Sequence, residues 1–81
     1  MTLSIRTLAD QAHKKGINYK ISETDLSDNT IEIEEDLGIF HTFYENDLGR
    51  VVYYGRFNLD TMKKINSIKQ EIKILKLLNL K

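Results

Sequence analysis

Residues 30–57 read TIEIEEDLGIFHTFYENDLGRVVYYGRF and contain three predicted β-strands in succession. Ile31 and Ile33 alternate with glutamates, and two β-branched and aromatic runs follow at 39–44 and 51–57. Gly38 marks the first connection, and residues 46–49 have the sequence of a type I turn followed by a left-handed glycine. Connections this short predict antiparallel hairpins.

The segment before these strands predicts a helix and one further strand. Apolar residues recur at helical spacing from Ile5 to Ala12, which predicts a helix over about residues 3–15. Thr2 or Ser4 can cap its start, and Gly16 suits the left-handed position after its end. Residues 17–21 then alternate as a strand, and the segment 23–29, rich in Ser, Thr, Asp and Asn, predicts a loop.

The C-terminal third predicts a long second helix. Asn58 has the position of an N-cap, and Phe57 and Met62 have the spacing of a hydrophobic staple. The predicted helix runs from Leu59 to near the C-terminus and carries an apolar seam at heptad spacing, formed by Ile65, Ile68, Ile72 and Leu75. A helix over 59–81 would be about 34 Å long, whereas strands of about six residues span about 20 Å.

These elements predict a single α+β domain over residues 1–81. Their order is α-β-β-β-β-α, a four-stranded antiparallel meander with an N-terminal helix and a long C-terminal helix. Because the sheet is shorter than the seam, we expect a homodimer through Ile72, Leu75 and Leu78. Two alternatives are that the first helix covers these residues, or that the helix ends near Lys73 and the tail forms a short strand.

Charge is segregated along the chain although the formal net charge is zero. No lysine or arginine occurs from Ile21 to Gly49, whereas both flanking segments are basic. Such asymmetry favours contact with a charged partner. The residues predicted to bind a basic protein surface are Asp25, Asp28, Glu32, Glu34, Glu35, Asp36, Glu45 and Asp47.

Three other interpretations of the charged residues stay open. The acids can simply form a solvated strand face that keeps a small sheet soluble. The oxygen-rich loop around Asp25 and Asp28 is a weak candidate for Ca²⁺, since it lacks the EF-hand spacing, and no metal site is predicted. Nucleic acid could instead contact Arg50, Tyr53, Tyr54, Arg56 and the lysines of the second helix, with Tyr53 and Phe57 on one strand face and Tyr54 and Arg56 on the other.

The chain offers no motif for catalysis. It has no cysteine, no phosphate-binding glycine motif and no nucleophile elbow, and His13 and His41 are isolated from other catalytic residue types. We therefore expect neither an enzyme nor a cofactor. The absence of an apolar run of membrane-spanning length predicts a cytoplasmic protein.

The resulting functional hypothesis is a non-enzymatic regulator or inhibitor that presents an acidic surface to a basic partner protein. The partner itself could be a nucleic-acid-binding protein. The bias toward Ile, Lys and Asn is typical of AT-rich coding sequences and is compatible with a phage or mobile element. A small nucleic-acid-binding protein is the alternative, and an oligomer whose acidic and basic regions neutralise each other is a third.

Overall fold

A computed structural model describes residues 3–22, 30–58, 63–65 and 68–80. The helices are α1 (Ile5–Lys14) and α2 (Ile68–Leu77). The strands are β1 (Tyr19–Ser22), β2 (Thr30–Asp36), β3 (Ile39–Glu45), β4 (Val51–Asn58) and β5 (Lys63–Ile65). Each strand pairs antiparallel with the next, so the sheet order is β1-β2-β3-β4-β5. The predicted α+β fold, with helices flanking an antiparallel meander, is confirmed, and the sheet gains a short fifth strand.

Hydrogen bonds define both ends of α1, and the C-terminal end of α2 has the same arrangement as that of α1. In α1 the Ser4 hydroxyl accepts a bond from the Thr7 N–H at 3.0 Å, which caps the first turn. At its other end Gly16 has φ +69°, and the Ile17 N–H donates to the Ala12 carbonyl at 2.8 Å, which is a Schellman motif. The end of α2 repeats this motif with Asn79, at φ +60°, in place of glycine. Asparagine tolerates this conformation better than most residues, so it ends the helix after Leu77.

The β3–β4 turn is organised by one side chain. The Asn46 Oδ1 accepts bonds from the Leu48 and Arg50 N–H groups, each at 3.0 Å. Gly49 follows at φ +75°, as predicted from the turn sequence. The turn therefore fixes the register in which β4 returns along β3.

The predicted start of the second helix is wrong. Asn58 is the last residue of β4 and not a helix cap, and residues 63–65 form β5 rather than helix. The staple between Phe57 and Met62 cannot be placed, because Met62 lies outside the described residues. The observed α2 has 10 residues and is therefore about 15 Å long.

The two helices cover one face of the sheet and enclose the core with it. The core combines residues of α1, of the sheet and of the α2 end: Ile5, Leu8, Ala9, Ala12, Ile31, Ile33, Phe43, Tyr53, Ile74, Leu75 and Leu78. The prediction that Ile72, Leu75 and Leu78 mediate self-association is not supported. Leu75 and Leu78 are buried within their own chain, and Ile72 is half-buried. The shorter helix matches its sheet, which removes the reason to expect a dimer.

An irregularity in β4 reverses the strand's faces. Thr42 pairs with Gly55, but the next residue, Phe43, pairs with Tyr53, so Tyr54 is an extra residue in the ladder. This β-bulge shifts the alternation by one, so that Arg56 lies on the helix-covered face with Tyr53. The prediction that Tyr53 shares a face with Phe57 is wrong for this reason.

Candidate functional site

The sheet face opposite the helices carries an aromatic and acidic surface. Since Ile31, Ile33 and Phe43 lie in the core, their neighbours along the strands lie on the other side. Cross-strand pairing extends this side from β2 to β4. We call this surface the open face and define it as Thr30, Glu32, Glu34, Phe40, Thr42, Tyr44, Val52, Tyr54 and Phe57.

Four aromatic residues form a strip across the open face, and the rings of three of them are in contact. The Tyr44 and Tyr54 rings meet edge to face, with centroids 5.9 Å apart and planes at 78°. Tyr54 also stacks on Phe57 at 5.8 Å, and Phe57 pairs across the strands with Phe40. The bulge displaces Tyr54 outward, so 45% of this residue is exposed.

Two glutamates of β2 border the aromatic strip. Glu32 lies directly across the sheet from Thr42 and, on its other side, from Lys20. Glu34 lies across from Phe40, and its Oε1 accepts a hydrogen bond from the Asn18 amide at 2.9 Å. The open face therefore places carboxylates next to aromatic rings.

The other acids predicted to bind a partner do not join this surface. Asp36 is exposed at the end of β2, beside the β2–β3 turn, and Asp47 is exposed in the β3–β4 turn at the other end of β3. Glu45 is half-buried at the last position of β3. Asp25 and Asp28 lie outside the described residues. Of the acids that the structure describes, only Glu32 and Glu34 lie on the open face.

Glu35 was predicted to lie on the acidic surface, but its side chain points into the protein. Its side chain is 6% exposed and is surrounded by basic groups. One carboxylate oxygen, Oε2, lies 3.2 Å from the His41 Nε2 and 3.5 Å from the Arg56 Nε. The other, Oε1, lies 2.8 Å from the Lys73 Nζ, an ion-pair contact that lacks good hydrogen-bond geometry. We call these four residues, together with Tyr53 and Gln70, the Glu35 cluster.

The Glu35 cluster connects the sheet to α2. Lys73 and Gln70 belong to α2, and the Arg56 guanidinium of β4 donates to the Gln70 side-chain oxygen at 3.0 Å. Glu35 itself is the residue without a partner in the β2–β3 ladder, at the register shift between Glu34 and Asp36. The cluster thus joins three neighbouring strands to the helix that packs across them.

The pKa shifts determine how the protons are arranged in the cluster. Burial raises the pKa of Glu35, but the ion-pair contact with Lys73 and the hydrogen bond and charge of His41 outweigh it and bring that pKa below 4.5. Burial lowers the pKa of His41 below 6.5 despite the Glu35 carboxylate. An ionised carboxylate can only accept, so the His41 Nε2–H donates to Glu35. The His41 Nδ1 then accepts from the Tyr53 hydroxyl at 2.9 Å, and burial raises the pKa of Tyr53 to about 12.

This arrangement suits a structural role better than proton transfer to a substrate. His41 is 0% exposed, and both of its ring nitrogens bond to protein side chains. A general acid or base must reach its substrate directly or through one water. The buried imidazole has no such access.

The residues proposed to contact nucleic acid are divided between different surfaces. Tyr53 is buried, Arg56 is bound within the Glu35 cluster, and Arg50 is exposed at the β3–β4 turn. Only Tyr54 lies on the open face, which also carries the carboxylates of Glu32 and Glu34, and these repel phosphate. The strand therefore does not present a combined basic and aromatic surface.

The described residues contain no cluster of three or more acidic, histidine or cysteine side chains able to hold a metal ion. The weak Ca²⁺ candidate at residues 23–29 lies outside them. Among the described helices, none is sufficiently long and apolar to cross a membrane. No family model, curated protein or solved structure matches the chain.

The stability of the protein should fall on acidification because of the Glu35 cluster. His41 has a lowered pKa, so the unfolded chain binds its proton first, and stability declines as the pH falls from about 6.5. Glu35 also has a lowered pKa, so its contribution is present above 4.5 and is lost as the pH falls through its folded-state pKa. Urea unfolding midpoints measured from about pH 8 down to about pH 3 should therefore decrease in two stages. The first stage is due to His41, and the second, at lower pH, is due to Glu35.

The variant His13→Gln is the matched control, since His13 is exposed on α1. Its profile should follow that of the wild type, whereas His41→Gln should lose the decline that begins near pH 6.5. A midpoint that stays constant through this interval would contradict the assignment of a neutral, buried His41.

Proposed function

We propose that the protein is a non-enzymatic regulator or inhibitor that binds a basic partner protein through the open face. The observation that supports this most strongly is the aromatic strip from Phe40 to Tyr54, bordered by Glu32 and Glu34 on a face that neither helix covers. Aromatic side chains are enriched at protein interfaces because they bury a large area with few rotatable bonds.

The two glutamates specify the kind of partner. A carboxylate and an aromatic ring that lie side by side both attract a lysine or arginine. The carboxylate does so by direct charge attraction, and the ring does so through its negative face. The same carboxylates repel acidic surfaces and phosphate groups. A basic protein is therefore favoured over a nucleic acid as the ligand. Association should therefore be faster at low ionic strength, as for other electrostatically steered complexes.

Charge reversal on the open face tests this function. A basic protein captured from a lysate of the source cells is identified, purified and titrated with the wild type and with Glu32→Lys. We expect the variant to weaken binding about tenfold, because the new lysine repels the partner. The matched control is Asp10→Lys, which changes the charge equally at an exposed position on α1.

Each outcome of this comparison is informative. Weaker binding by Glu32→Lys alone supports the proposal. Equal binding by all three proteins, or equal loss in both variants, would contradict it, since the open face would then have no special role. Preferential binding of an oligonucleotide that competes with the captured protein would support nucleic-acid binding instead.

A further inference from the structure

We infer that the open face contains a binding pocket for a single arginine side chain of the partner. This inference rests on the proposed function and names the group that the open face recognises. The pocket has a volume of about 310 Å³ and is lined by Thr30, Thr42, Tyr44 and Tyr54. We call it the arginine pocket.

The bulge in β4 creates the arginine pocket. Thr42 lies at the centre of the open face, and its partner on β4 is Gly55, which has no side chain to fill the neighbouring space. The extra residue, Tyr54, is displaced to the side of this gap. Thr42 thus forms the floor, while the edge-to-face rings of Tyr44 and Tyr54 form two walls at 78° to each other.

The Glu32 carboxylate lies beside the pocket, and Lys20 lies on the far side of Glu32. Glu32 is the direct cross-strand neighbour of Thr42, and residues paired in this way have Cβ atoms about 5 Å apart. A cation above Thr42 would therefore be within reach of the Glu32 carboxylate and would contact the tyrosine rings. Two aromatic walls and one carboxylate form the kind of site that binds a cationic group.

Arginine fits these walls better than lysine. Its planar guanidinium stacks on aromatic faces and is more weakly hydrated than an ammonium group, while its fixed N–H fork matches a carboxylate. The threonine hydroxyls supply further acceptors. The volume lies at the lower end of ligand-binding clefts, roughly 300–1,000 Å³, so it accommodates one side chain rather than a large cofactor.

Amide NMR with two matched peptides tests the pocket. The probes are the capped peptide Gly-Gly-Arg-Gly-Gly and the same peptide with citrulline, which keeps the shape of arginine but lacks its charge. The arginine peptide should cause saturable shift changes at Glu32, Thr42, Tyr44 and Tyr54, and the citrulline peptide should cause none at the same concentration. Equal effects of both peptides, or changes confined to other residues, would overturn the proposal.

The variant Tyr54→Leu removes one aromatic wall and should weaken binding of the arginine peptide about fivefold. Leu48→Ala, at an exposed position in the β3–β4 turn, is the control and should bind as the wild type does. Retained dispersion of the amide spectrum shows that each variant is folded. Unchanged binding by folded Tyr54→Leu would refute the pocket.

The pocket and the proposed function can fail separately. If Glu32→Lys loses the basic partner while the arginine peptide leaves the pocket residues unshifted, the open face binds protein but the pocket is wrong. If the peptide shifts these residues and no basic protein depends on Glu32, the pocket stands and the proposed function fails.

Discussion

Replacing Glu35 with alanine is expected to lower the free energy of unfolding by about 3 kcal/mol. The substitution leaves the buried His41 N–H without its acceptor and removes the negative charge from between three basic side chains. The expected loss of stability is smaller than the largest losses caused by breaking a buried ion pair. The reason is that Lys73, whose side chain is 60% exposed, can be solvated when its partner is removed. Urea unfolding monitored by circular dichroism measures the change.

The neighbouring residue provides the control for this experiment. Glu34→Gln removes a charge one position earlier in the same strand, on the open face, and should change stability by no more than about 0.5 kcal/mol. For an 81-residue domain, whose total stability is about 4–12 kcal/mol, the predicted difference between the two variants is large. Equal stability of both variants would show that the Glu35 cluster contributes nothing to the fold.

Replacing Leu78 with alanine is expected to cost about 3 kcal/mol for a different reason. Leu78 is 0% exposed and packs at the end of α2 in the same core as the α1 residues. Removing its isopropyl group loses the transfer free energy of those atoms and leaves a cavity that the surrounding side chains fill only in part. Thermal unfolding should show a decrease in Tm of about 12 °C or more, given about 4–8 °C per kcal/mol for a domain of this size.

The adjacent leucine again supplies a matched control. Leu77 is 42% exposed, so Leu77→Ala should cost less than about 1 kcal/mol. Sedimentation at equal concentration should give the same molecular mass for Leu78→Ala and the wild type, because Leu78 is buried in its own chain. A wild-type dimer that dissociates in Leu78→Ala at unchanged stability would restore the self-association hypothesis.

Local chemistry in the sequence was sufficient to predict most of the fold. The Ser4 cap, the left-handed Gly16 and the apolar spacing between them specify α1 through contacts within a few residues. The Asn46 turn likewise specifies the β3–β4 hairpin. In these segments short-range hydrogen bonds and hydrophobic periodicity favour the same structure.

The start of α2 could not be predicted because tertiary pairing overrides periodicity there. The apolar spacing continues through Ile65, yet residues 63–65 pair with β4 as an edge strand. Strand pairing depends on a neighbour that hydrophobic periodicity does not reveal. The left-handed Asn79 at the end of α2 also went unrecognised, although asparagine is the second residue type favoured at this position.

The candidate site was predicted only in part, for two physical reasons. Glu35 follows Ile31 and Ile33 at period two, so the alternation itself indicated an inward carboxylate, but the clustering of acids favoured a surface assignment. The bulge at Tyr54 had no comparable signal beyond Gly55. One extra residue reversed the positions of Arg56 and Phe57 and thereby separated the basic residues from the exposed aromatic strip.

We propose that acids on opposite faces of β2 have different roles, with Glu35 stabilising the fold and Glu32 binding the partner. The most direct test is the affinity for the captured basic partner, measured for the wild type, Glu32→Lys and Glu35→Ala at a temperature where all three are folded. We predict about tenfold weaker binding for Glu32→Lys and wild-type affinity for folded Glu35→Ala. Wild-type affinity in Glu32→Lys, or an equal loss in folded Glu35→Ala, would contradict this division of roles.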